Sequence, residues 1–116
     1  MTVSVAFSGS ETVSTTEWSL TTDTSGPDVD TTAGTYVCFL DLSAMADGDS
    51  FEFRVYEKVL SGSTQRVVMR QLFVNSQGTN DANWMSPPFP LLQGWDMTLL
   101  KVGGTDRNID WSIRTP

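Results

Sequence analysis

The chain has 116 residues, a formal net charge of -7 at neutral pH and a sequence pI near 4.2. That length gives a single domain, residues 1–116, and a globular chain of this size buries roughly 65% of the surface it exposes when unfolded. With 39% apolar and 18% charged residues it is not a disordered chain, and its negative charge sets aside nucleic acid and anionic membrane as partners.

Charge is divided along the chain. The first 53 residues hold nine acids and no Lys or Arg, whereas all seven bases lie between Arg54 and Arg114 beside five acids. The single cysteine, Cys38, rules out an internal disulfide. It stands among Tyr36, Val37, Phe39 and Leu40, the setting of a small buried hydrophobe, and no His exists to activate its thiol. The opening Met1 to Gly9 has no positive n-region, and no stretch approaches the roughly 20 apolar residues of a membrane helix. The expectation is a soluble protein made in a cytoplasm or in a particle assembled there.

In chain order, Val3, Val5 and Phe7 alternate with small polar residues, and Glu11 to Leu20 is a strand candidate anchored by Val13 and Trp18. Residues 21–34 form a 14-residue polar stretch with Gly26-Pro27, read as a long loop of the kind that is functional or held by a partner. Thr35 to Leu42 is apolar on both faces, as in a central strand. Gly48 in Asp47-Gly48-Asp49 supplies turn chemistry. From Phe51 to Val59 apolar and polar residues alternate with period two, and after a Gly-containing loop Gln65 to Val74 does the same, which predicts a hairpin. Residues 75–83 are polar, and Pro87, Pro88 and Pro90 confine the next segment to an edge or an irregular connection. Trp95, Met97 and Leu99 alternate in Gly94 to Lys101. Ile109, Trp111 and Ile113 alternate in Arg107 to Arg114, beyond the turn signal Gly103-Gly104. Seven or eight short strands without a helix predict an all-β antiparallel sandwich, of which the jelly roll is one arrangement.

The residue inventory removes most catalytic chemistry. Without His there is no Ser-His or Cys-His nucleophile, and no Gly-x-Ser-x-Gly elbow occurs. Glu52 and Glu57 fall on opposite faces of one predicted strand and cannot form a glycosidase pair. The Asp28/Asp30 and Asp41/Asp47/Asp49 groups lack EF-hand spacing and read as turn chemistry in preference to Ca²⁺ ligands. No enzyme, cofactor or metal is expected. Four tryptophans make a sugar-stacking platform conceivable: Trp95 and Trp111 read as core, Trp84 as the more exposed, Trp18 as ambiguous. An aromatic beside prolines equally anchors a protein interface, and protein is the preferred partner.

Ser14 to Leu20, Phe53 to Lys58, Gly94 to Thr98 and Gly104 to Arg114 together resemble a family of small proteins encoded in the structural gene regions of tailed bacteriophages. The resemblance implies a virion component and transfers no functional residue. At 12.7 kDa the chain is small for a shell-forming subunit. The expectation is therefore a non-enzymatic capsid decoration or cement protein on the capsid surface, assembled in the host cytoplasm. Its partners would be the major capsid protein or other virion proteins, and it would form a homo-oligomer such as a trimer. The alternative is a carbohydrate-binding sandwich module of a phage tail or fibre. The expected contact residues are Trp84 and Trp18 as anchors, Arg66 and Arg70 as the basic patch, and Asp23, Asp28 and Asp30 as an acidic loop that meets such a patch head to tail.

Overall fold

A computed structural model describes residues 2–116 of the chain as two antiparallel sheets face to face, with no helix among the described residues. In the first sheet β1 (Ser4–Val13) pairs with β10 (Arg107–Thr115), which pairs with β4 (Gly34–Asp41); the far side of β4 is shared by β7 (Asn83–Met85) and β8 (Phe89–Leu91). The second sheet runs β3 (Thr24–Ser25), β2 (Trp18–Ser19), β9 (Asp96–Gly103), β5 (Ser50–Glu57) and β6 (Arg66–Val74). With the two-residue β3 set aside as a hairpin arm on β2, and β7 and β8 taken as one interrupted strand along β4, eight strands remain in the double Greek-key order of a jelly roll.

Period-two patterning places the core between the sheets. Tyr36, Cys38 and Leu40 of β4 and Ile109, Trp111 and Ile113 of β10 point inward from the first sheet. Phe51, Phe53 and Val55 of β5, with Met97 and Leu99 of β9, are fully buried from the second. Burial pushes the Cys38 thiol pKa far up, so it remains a neutral packing group. Trp95 is fully buried, its ring 4.5 Å from that of Tyr36 and 6.0 Å from that of Phe7, and its Nε1 donates to the Thr32 carbonyl. Trp111 lies over Gly9, its register partner on β1, where any side chain would collide with the indole. Its Nε1 donates to the Leu20 carbonyl at 2.9 Å and so joins the two sheets.

Three expected elements differ. Glu11 to Leu20 is not one strand: β1 ends at Val13, residues 14–17 cross between sheets, and Trp18 enters the second sheet opposite Leu99. The alternation from Phe51 stops at Glu57, where β5 ends: Tyr56 keeps the outward place that alternation gives it, its hydroxyl bonded to Glu17, and Val59 lies beyond the strand and is exposed. Residues 21–34 are not a free loop. They contain β3, a cis Gly26-Pro27 bond and a two-bond bridge in which Asp30 and Trp95 exchange N–H···O contacts of 2.7 and 2.8 Å.

Candidate functional site

The acidic segment from Glu17 to Asp30 supplies the edge strands β2 and β3 of the second sheet, and its turns fold as a strap over that sheet's outer face. Beneath it Ser19, Asp96 and Thr98 are shut off from solvent although all three point away from the core. Asp96 accepts from the Thr21 hydroxyl at 2.7 Å and from the Asp28 N–H at 2.8 Å. Its desolvation outweighs these bonds and raises its pKa above the usual carboxylate value. At the other end of the strap Glu17 accepts from Arg54 at 3.1 Å and from the hydroxyls of Tyr56 and Thr98. Glu52 bonds Arg54 at 2.6 Å and Arg70 at 3.3 Å. The Glu52 bond leads the effects that raise the Arg54 pKa, and burial leads those that raise that of Tyr56.

The strap accounts for four of the expected contact residues. Asp23, at φ +56°, accepts from Trp18 Nε1 at 2.9 Å, and Trp18 is half-buried against the core. Asp28 accepts from Thr22 and Thr24 through its side chain and from Gln65 Nε2 through its carbonyl at 2.8 Å. Asp30 is tied to Trp95 by its backbone and to the Thr32 N–H by its carboxylate at 2.7 Å. These carboxylates hold the subunit's own strap in place. Trp84 is not the exposed aromatic that its flanking residues suggested: its ring meets Phe53 at 5.3 Å and Phe73 at 5.1 Å, both edge to face, and closes the core beside β6. Arg66 and Arg70 are exposed, as a basic patch requires. Arg70 stands in register with Arg54, a like-charge pair relieved on one side by Glu52.

None of the 12 aromatic residues is among the exposed ones. Phe39, on the outer face of the first sheet, is half-buried, and the Arg114 guanidinium stacks on its ring 3.8 Å from the centroid. What stands exposed is aliphatic. Val68, Leu72 and Val74 line the outer side of β6, and Val3, Val5 and Met85 flank the outer face of the first sheet. Val29, Val59, Leu60 and Leu92 are exposed on adjoining connections at one end of the sandwich. That end is rigid: Lys58 N–H donates to the Gln93 carbonyl, Gln65 Nε2 bridges the carbonyls of Asp28 and Gly94, and Glu57 accepts from the N–H groups of Leu92 and Gln93.

Asp49, almost fully buried, accepts from the N–H groups of Thr105 and Ala46 and from Arg107 at 2.7 Å; together these hold its pKa down to about 2. Asp41 and Asp110 face each other across β4 and β10 on the outer face of the first sheet. Among the described residues no three His, Cys, Asp or Glu side chains converge as a metal site. Neither a protein-family model nor a curated protein sequence matches the chain.

Sequence reasoning missed the end cluster because Val29, the pair Val59-Leu60, and Leu92 belong to separate connections that only the strand order brings together. The available signal was apolar residues inside otherwise polar turns, as in Lys58-Val59-Leu60-Ser61.

Proposed function

We propose that this protein is a non-enzymatic structural component of a virion, a decoration protein that docks on the outer capsid surface where shell subunits meet. One observation carries the reading: four large aliphatic side chains stand exposed on a single hydrogen-bonded end of the sandwich, with Val59 82% and Leu60 66% accessible. Aliphatic side chains held exposed on adjoining connections of one rigid end offer apolar surface to a protein partner, and loops at the end of a rigid sandwich are where such contacts are built. Docking there buries aliphatic surface at a junction, and binding that favours the closed shell raises the free energy needed to open it. The jelly roll is also used by viral capsid and lectin domains, which makes the fold compatible without deciding the role.

The sugar-binding alternative needs an exposed aromatic platform, and the tryptophans proposed for it are engaged within the subunit, Trp84 with Phe53 and Phe73 and Trp18 with Asp23. The proposal is tested on virions prepared with and without the protein and stressed by heat or low salt. Earlier DNA release from the undecorated particles is expected, and equal release from both would discard the assignment. Adding Val59→Ser/Leu60→Ser protein to undecorated particles should give no sedimenting complex, whereas normal binding would remove the end cluster from the contact.

A further inference from the structure

The two outer faces of the sandwich carry matching rows of opposite character. On the first sheet the rows across the strands read Asn83, Asp41 and Asp110; then Met85, Phe39 and Ser112; then Val37 and Arg114. On the second they read Arg70 and Arg54; then Leu72 and Glu52; then Val74 and Ser50. Each face thus holds one like-charge pair in direct register, acidic on one and basic on the other. Such a pair is unfavourable within an isolated sheet; within the subunit Glu17 and Glu52 already neutralise Arg54, whereas the exposed Arg70 meets only Glu52, at 3.3 Å. Successive rows are two residues apart, about 6.6 Å, and neighbouring strands are about 4.8 Å apart in both sheets, so the patterns share one spacing.

We infer that a second copy of this chain packs its β6 face on the β4/β10 face of the first, head to tail. Arg70 of one subunit then meets Asp41 and Asp110 of the other, Leu72 and Val74 cover Met85 and Val37, and Glu52 approaches the Arg114 guanidinium lying over Phe39. Arg114 has no ion pair within the subunit among the described residues, and Leu72 and Val74 are each half exposed. The contact uses side chains and not the β6 edge, since the carbonyls of Leu72 and Val74 accept from the amides of Gln71 and Gln77. It replaces the expected contact through Asp23, Asp28 and Asp30, which hold the strap. Two different faces meet, so the arrangement is heterologous and generates a ring or a filament. It does not depend on capsid attachment, which uses the end of the sandwich.

Sedimentation at about 0.15 M salt, where repulsion between the acidic bodies is screened beyond about 8 Å, provides the test. Wild-type protein should sediment as species heavier than the 12.7 kDa monomer. Two variants change exposed residues only: Asp110→Arg/Met85→Arg blocks the first face and leaves β6 intact, and Leu72→Arg blocks β6 and leaves the first face intact. Each alone should be a folded monomer by circular dichroism and sedimentation, and their equimolar mixture should form a 1:1 dimer and nothing larger. A monomeric wild type, a variant that still self-associates, a mixture that stays monomeric, or a mixture that grows beyond the dimer would each overturn the inference.

Discussion

The backbone N–H of Asp28 donates to the carboxylate of Asp96 at 2.8 Å, and the strap that carries Asp28 shuts Asp96 off from solvent. This bond and that from Thr21 fasten the acidic segment to a strand otherwise too polar on its outer side to be covered. Burial raises the Asp96 pKa in the folded state above its unfolded value. Its contribution to stability is thus complete below the unfolded value, near 3.8, and is lost as pH rises through the folded one. Asp96→Asn keeps an acceptor for Asp28 and removes the charge. Its stability relative to wild type should improve as pH rises above 3.8 and through the raised folded value, as read by urea unfolding at a series of pH values. Asp96→Ala leaves the Asp28 N–H without its partner and should cost about 1–3 kcal/mol.

Asp49 behaves in the opposite sense. Its folded pKa of about 2 lies below the unfolded 3.8, so its contribution is present above 3.8 and disappears as pH falls toward 2. Asp49→Asn should flatten the acid limb of the stability curve, measured as the fall in thermal midpoint on acidification. An unchanged limb would remove Asp49 as its source.

Gly104 closes against Asp49 at φ +85°, leaving no room for a side chain. Gly104→Ala combines backbone strain with displacement of the Asp49 carboxylate and should destabilise by at least about 1–3 kcal/mol. Denaturant titration checks this, and a neutral outcome would show that the turn can rearrange.

Glu17 gathers Arg54, Tyr56 and Thr98 at a partly buried point. Glu17→Ala leaves a fully buried threonine hydroxyl and a partly buried guanidinium without this acceptor, for a loss of about 1–3 kcal/mol. Glu17→Gln should lose less. Chemical unfolding of the two variants separates hydrogen bonding from charge.

Trp84→Ala should destabilise by about 3 kcal/mol, because its ring closes the core against Phe53 and Phe73. Val59→Ser should stay within about 0.5 kcal/mol of wild type, as expected for an exposed side chain. Comparing denaturant midpoints distinguishes core from contact surface. A reversed ranking would contradict the packing described for Trp84.

The central strands were legible because their alternation is local: Phe51, Phe53 and Val55, or Ile109, Trp111 and Ile113, declare one buried face within five residues. The strap was not. Ser19, Asp96 and Thr98 are polar residues on a face that alternation assigns to solvent, and they are covered only because distant residues supply hydrogen bonds. Trp84 misled for a related reason, since polar and proline neighbours describe the backbone around it but not Phe53 and Phe73 behind it. Arg66 and Arg70 were correctly read as surface residues from the hairpin. The like-charge pairs Arg54/Arg70 and Asp41/Asp110 required the register, which a single sequence leaves open.

The pairing of β1 with β10 also bears on how the chain matures. Among the described residues β1 is an edge strand bonded along its length only to β10, so a strand synthesised early waits for one synthesised much later. Until then β4 lacks its neighbour on one side and the inner faces of Cys38 and Leu40 remain open. Contacts of such long sequence separation form late and slowly. Synthesis and closure are therefore separate events, and a chain stalled before Arg107 would present an uncovered half-sandwich to chaperones and proteases.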